Sequence, residues 1–479
     1  MKCLLTSLII FVSFSLLSAQ QGHHLSLEID NYEGPKIYLA NYYGSATNNI
    51  DSATVDSSGQ FIFSSDTALE RGLYIVWLPL NRKRKAIQLI VEDNDQRVSV
   101  KADYEALSST KIEVADSKSN TRFYDYLRYM NRNSQLVGQL SKARQESEEG
   151  AEKQVLQERM DSVSNAVRAY QQNLLDQYPQ SIVATQARLD LEPPFPTTSD
   201  NEEEQQNQRY RYRRQHFFDY IDLADSSLLA SPRFVRKINH YLTKLTPPVP
   251  DSVAPTVDNL IAQLPPGSPN HRFLMDYLLK SYEKPRYIGL DAVYVHLAET
   301  YYAAGPLSWL DERERITILK TAQRLKPILI GKTAPNIVMQ KEDGSSIALH
   351  DVKAELTVLF FWRPNCGYCK KATPVVLEAY EKYKDRGVEV FGLCTSLRQK
   401  TPKCWEDVEE KEMNVWINTA DSANKSRFVQ KYNVGRTPKF YLLDKDKKIL
   451  IKDFGVEQLT NLLERFLPKE DKSTQQHNE

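Results

Sequence analysis

Between His24 and about Asp116, apolar residues come in short runs that alternate with polar ones and stop at turn clusters. The runs HLSLEI, KIYLAN, QFIFSS, GLYIVWLP, KAIQLIVE, QRVSVKA and KIEVAD are set off by turns such as Asp56-Ser57-Ser58-Gly59 and Asp93-Asn94-Asp95. A period of two between turn residues predicts strands, here a small antiparallel β sandwich or barrel over residues 20–116. The period then changes. Leu156, Met160, Val163, Val167, Tyr170, Leu174 and Tyr178 step by four and three, marking one stripe of a helix that stops at Tyr178-Pro179. Residues 117–329 are therefore expected to form an α-helical middle domain with this stripe packed inside, and the sharper alternative is a dimerising coiled coil. The run from Asn201 to Arg214 reads as a solvated loop and helix start. Tyr277, Tyr282, Tyr287, Tyr294, Tyr301 and Tyr302 read as helix-packing residues, with peptide or partner binding as their other use.

Strand patterning returns at 336–339, with a hairpin signal at Asp343-Gly344. Strands are expected at 357–362, 389–394, 414–417, 439–443 and 448–452. Helices are expected at 366–384 and 456–467, and near 404–411 and 425–432. The mixture predicts an α/β module over 330–468, followed by a polar tail at 469–479.

The start of the chain changes the picture. Met1-Lys2 leads into an apolar stretch from Cys3 to Leu17 and the small residues Ser18-Ala19. That predicts a secretory signal over 1–19, cleaved after Ala19 and too short for a comfortable membrane span. Cys3 opens the apolar run instead of closing it, so it is expected to leave with the signal. The other four of the five cysteines lie between 366 and 404, in what would be an oxidising periplasmic or envelope compartment. The 62 basic and 62 acidic side chains cancel, which gives no reason to expect nucleic acid or an anionic membrane as partner. The length of 479 residues predicts about three domains.

The chemistry concentrates in Trp362-Arg363-Pro364-Asn365-Cys366-Gly367-Tyr368-Cys369. A Val- and Phe-rich run ends at Trp362, Pro-Asn makes a turn, and two cysteines two residues apart open an amphipathic helix. Cys366 is thereby set among unsatisfied N–H groups at the positive helix end, which favours a thiolate, and Cys369 sits one turn deeper, near enough to close a disulfide. Lys370 and Lys371 add charge of the same sign. Zinc would want a second Cys/His pair at similar spacing, and the eight histidines are scattered singly apart from His23-His24, so no metal is expected.

These residues resemble the thioredoxin superfamily at several independent positions. Trp362 stands four before Cys366 and Pro374 eight after it, where that superfamily keeps a tryptophan and the proline that kinks its redox helix. Gly435-Arg436-Thr437-Pro438, ahead of Lys439-Phe440-Tyr441, resembles its cis-proline loop. The opening Gly331-Lys332-Thr333-Ala334-Pro335 and the distance from Cys366 to Pro438 are similar to the TlpA/ResA-like branch. Over 331–468 the resemblance implies a thioredoxin fold with thiol–disulfide oxidoreductase activity. It needs no cofactor beyond the redox-active Cys366–Cys369 disulfide, and its partners are protein or peptide thiols and disulfides. Thr437 and Pro438 are expected to hold an extended substrate segment, with Tyr368, Trp362, Arg363 and Asn365 around the redox pair and Pro374 structural. A membrane electron donor is implied if the protein is a reductase. The two preceding regions resemble the β and helical domains placed before such modules in multidomain bacterial envelope proteins.

Some positions depart from the pattern. Phe360 and Ala372 stand where thioredoxin and ResA-like proteins keep their acidic proton relays. The Gly-Tyr dipeptide and Thr437 resemble periplasmic disulfide isomerases and point to a less reducing poise. Leu359 and Arg363 replace the proline and hydroxyl residue of peroxiredoxins, which argues against peroxidase chemistry. A different class is a redox-dependent binding or scaffold protein whose N-terminal two-thirds carries the role. Cys394 reads as a buried small hydrophobe and Cys404 as partly exposed; the two could bridge if the loop through Pro402 folds back.

Overall fold

The computed structural model describes residues 22–148, 150–195 and 202–468. The expected signal segment with Cys3, the tail from 469 and Asn201 lie outside the described residues. The chain divides into two compact units, one through Tyr241 and one from Leu242.

In the first unit the described strands are β1 (His23–Asp30), β2 (Lys36–Tyr43), β3 (Ala46–Thr54), β4 (Gln60–Ser65), β5 (Gly72–Leu80), β6 (Lys83–Val91), β7 (Arg97–Asp103) and β8 (Glu113–Ala115). They form two four-stranded sheets, ordered β4-β1-β7-β8 and β3-β2-β5-β6. Leu25, Leu27, Phe61 and Val98 from the first sheet share one buried cluster with Ile37, Leu39, Val76 and Leu89 from the second. Two features escape the sequence pattern. β3 is mostly exposed and polar; as an edge strand held by β2 alone it needs no apolar face, so alternation cannot reveal it. The expectation of an antiparallel arrangement also needs correction, since β1 and β7 pair in parallel, His24 opposite Arg97. The chain passes through the other sheet between these two strands, so no hairpin fixes their relative direction.

The helices that follow are α1 (Lys118–Glu146), α2 (Gly150–Gln177), α3 (Ile182–Asp190), α4 (Glu202–Gln215) and α5 (Pro232–Lys244). Ser117 starts α1 by accepting from Asn120 N–H, the usual relief for an orphan donor at a helix start. The stripe on α2 turns toward α1: Tyr170 stacks on Tyr129 at 4.1 Å between ring centroids, and Leu174 joins the cluster under the sheets. Tyr178 lies just past the helix and is 37% exposed, with Arg122 over its ring.

The second unit begins with α6 (Pro250–Ala262), α7 (Pro269–Glu283), α8 (Asp291–Leu297) and α9 (Glu312–Leu325). Tyr282, Tyr294 and Tyr302 are buried among them, while Tyr287 stays exposed. Seven strands follow: β9 (Val338–Gln340), β10 (Ser346–Ala348), β11 (Leu356–Trp362), β12 (Val388–Cys394), β13 (Ile417–Ala420), β14 (Lys439–Asp444) and β15 (Ile449–Lys452). They make one mixed sheet, ordered β10-β9-β13-β12-β11-β14-β15. The helices of this part are α10 (Gly367–Tyr383), α11 (Pro402–Glu410), α12 (Phe428–Lys431) and α13 (Leu459–Phe466). All of β11 is buried. Val358, Phe360 and Trp362 share a cluster with Val376 of α10 and Leu463 of α13, while Phe361 on the other face meets Phe428, Tyr432 and Tyr441. A strand covered on both faces reads as a continuous apolar run, as LTVLFFW does.

Three expectations are corrected here. Residues 413–415 form a 3₁₀ turn, and the strand expected at 414–417 instead runs Ile417–Ala420. The helix expected near 425–432 shrinks to Phe428–Lys431, because Asp421 takes the Lys425 and Ser426 N–H groups and holds the preceding loop. Cys404 is fully buried, not partly exposed, and bridges Cys394 across a Cα separation of 6.1 Å.

Within this unit α8 is tied to the sheet by a buried ion pair. Lys452 Nζ lies 2.5 Å from Asp291 Oδ2 and donates to Ile328 O at 2.7 Å, with both charged side chains nearly inaccessible.

Candidate redox site

The site lies where three segments meet at the end of β11. The strand delivers Trp362 as a buried side chain. Pro364 is buried and Asn365 takes a left-handed backbone with φ 58°, a conformation asparagine tolerates better than most residues. The chain then enters α10 with Cys366 as its N-cap, and the Cys366 sulfur accepts from Cys369 N–H at 3.1 Å. Sulfur therefore takes the place of the oxygen that usually satisfies this donor. Cys366 and Cys369 form a disulfide with Cα atoms 5.1 Å apart; Cys369 is 2% exposed and Cys366 half-buried.

The loop before β14 faces this bridge. The Thr437–Pro438 peptide is cis, the Thr437 carbonyl oxygen lies 3.5 Å from Cys366 Sγ, and the Thr437 hydroxyl donates toward the same sulfur at 3.6 Å. The ladder brings these segments together: β14 pairs antiparallel with β11, Phe361 opposite Lys439. Immediately after Pro438, Lys439 is buried, and this burial pushes its pKa down against the opposing pull of Asp453, 2.9 Å from its Nζ.

Of the residues singled out from sequence, Cys366, Cys369, Thr437 and Pro438 converge. Tyr368 stands 78% exposed beside them, and Arg363 and Asn365 are exposed on the turn. Trp362 lies underneath, where its Nε1–H finds no acceptor among the described residues. Pro374 sits inside α10, one residue past Thr373, whose hydroxyl donates to Cys369 O. Phe360 and Ala372, at the two relay positions, are fully buried. Sequence reading missed the surroundings of Trp362. Lys411 Nζ lies 6.0 Å from its ring centroid and pairs with the buried Asp407, four residues earlier on α11. Only that spacing could have suggested the pair. No group of metal-ligating side chains occurs among the described residues. An open cleft of about 690 Å³ between Asp95, Arg122 and Tyr178 belongs to the first unit and contains no cysteine.

A half-buried cysteine capping a helix, bridged to a buried one and faced by a cis-proline loop, defines a thioredoxin-fold module. A Redoxin family model matches residues 329–464, and two domain families of unknown function match 23–123 and 150–326. The thiol-disulfide oxidoreductase ResA of Bacillus cereus (strain ZK / E33L) is 34% identical over 140 residues, 29% of this chain and 78% of the relative. That of Geobacillus kaustophilus (strain HTA426) is 26% identical over 144 residues, covering 29% and 80%. A solved domain of a possible thiol-disulfide isomerase from Cytophaga hutchinsonii is 33% identical, spans 29% of this chain and 92% of its own, and has a TM-score of 0.27. The chain belongs to the TlpA/ResA-like thiol–disulfide oxidoreductases of the thioredoxin superfamily. It is an oxidoreductase, and these matches favour the enzyme over the scaffold reading.

Proposed function

We propose that this protein exchanges disulfides with protein substrates in the bacterial cell envelope through Cys366 and Cys369. The observation that carries this reading is the Cys366 sulfur itself, capping α10 and facing Thr437. In the reducing direction the Cys366 thiolate attacks one sulfur of a substrate disulfide. A mixed disulfide forms and the other substrate sulfur leaves as a thiolate. Cys369, deprotonated in turn, attacks the Cys366 sulfur, closes the intramolecular bridge and expels the second substrate thiolate. Two electrons pass to the substrate, and a dithiol donor at the membrane restores the pair. Run backwards, the same steps oxidise a substrate dithiol. Backbone groups of Thr437 and Pro438 hold an extended substrate segment, as an exposed strand edge does.

The envelope location rests on the sequence of residues 1–19, and residues 469–479 read as a polar tail. We read residues 20–116 as a β sandwich, 117–329 as a helical domain and 330–468 as the catalytic module, with no cofactor other than the cysteine pair. Insulin reduction tests the reading. Cys366→Ser is expected to abolish turnover, and a variant that kept the wild-type rate would overturn the assignment.

A further inference from the structure

The charge balance of the whole chain breaks down around the disulfide. Three segments converge there: residues 356–377 through β11 and the start of α10, 395–405 after β12, and 425–443 through the loop into β14. The second is tied in by Thr395 N–H, which donates to Trp362 O at 2.7 Å. Together they hold eleven Lys and Arg and no Asp or Glu, in a chain with 62 of each sign.

Some of these cations are already engaged, Lys403 with Glu406 and Lys439 with Asp453. The buried Asp407 on α11 is held by Lys411 and Lys403. Arg363, Lys370, Lys371 and Arg436 are all exposed, and none makes an ion pair among the described residues. Each sits on a segment that reaches the reacting sulfur. Arg363 is three residues before Cys366. Lys370 donates its N–H to Cys366 O at 2.9 Å, and Lys371 follows it. Arg436 precedes Thr437, whose carbonyl lies 3.5 Å from the sulfur. The positive end of α10 adds to the same field. At ~0.15 M salt charges act over about 8 Å, so four neighbouring unpaired cations act on an incoming segment together.

We infer that the preferred substrate is a protein segment whose disulfide cysteine is flanked by acidic residues, drawn to the free cations Arg363, Lys370, Lys371 and Arg436 around Cys366. This specificity rests on the exchange chemistry proposed above. Complementary charge at a rim acts chiefly on encounter rate and weakens with salt.

The test uses full-length protein, pre-reduced, and two synthetic peptides of equal length. Each carries one internal disulfide, flanked by Asp and Glu in one peptide and by Lys in the other. Stopped-flow rates are compared at about 10 mM and about 300 mM salt. At low salt the acidic peptide is expected to react ~10-fold or more faster, and the ratio should fall toward one at high salt. In R363Q/K370Q/K371Q/R436Q, which lacks all four cations, the ratio should fall to about one already at low salt. These cations also stabilise the Cys366 thiolate, but that affects both peptides alike and cancels in the ratio. Equal rates at low salt, or a preference that survives the loss of all four cations, would overturn this inference alone. If neither peptide nor insulin is reduced, the exchange reading itself falls and takes the inference with it.

Discussion

At the scale of single residues, the thiolate of Cys366 has two stabilising neighbours besides the helix end: the Cys369 N–H at 3.1 Å and the Thr437 hydroxyl at 3.6 Å. Both favour the reduced state over the bridged one. A stabilised reduced state makes a stronger oxidant, so the pair should sit above thioredoxin's ~−270 mV. Thr437→Val keeps the shape and removes the hydroxyl. It should lower the potential by ~30 mV, the equivalent of one hydrogen bond to a charged group. Equilibration against glutathione buffers checks the shift, and no change would show that the hydroxyl does not reach the sulfur. Phe360 and Ala372 belong to this scale too. With apolar side chains fully buried at both relay positions, neither position supplies a proton acceptor for Cys369.

At the scale of elements, two ties hold the secondary structure around the site. The Cys394–Cys404 bridge fastens α11 to the end of β12, whose Cys394 is opposite Trp362 in the ladder. The other tie is Asp291 at the start of α8 against Lys452 at the end of β15. Removing one partner of a buried pair leaves an uncompensated charge, so Asp291→Asn should cost ~3 kcal/mol, whereas Asp291→Leu combined with Lys452→Met should recover most of it. Urea unfolding followed by tryptophan fluorescence reads this directly, since four of the five tryptophans lie beyond Leu242. A double variant as unstable as the single one would mean that packing of α8, and not the charge pair, carries the energy.

At the scale of the whole molecule, Tyr170 and Leu174 of the α2 stripe pack against α1 and the sheets of their own unit, while Met160, Val163 and Val167 stay half-buried, so part of the stripe is used within one chain. Light scattering on the full chain should give the mass of one 55.1 kDa chain; a dimer would mean another surface pairs the chains. The sequence by itself determined the redox motif, the proline loop and β11 to within one residue, because each depends on local spacing or on an apolar run that only a strand buried on both faces would carry. It also marked the change from a period of two to a period near 3.6 between the sheets and the helices. Other features were decided by tertiary structure alone. The parallel pairing of β1 with β7, the polar edge strand β3 and the burial of Cys404 depend on what the rest of the chain brings alongside, which no local pattern records. The same holds for the cationic surface. Its charges are scattered over three segments of a chain with no net charge, and they become one surface only because β11, β12 and β14 lie side by side in one sheet.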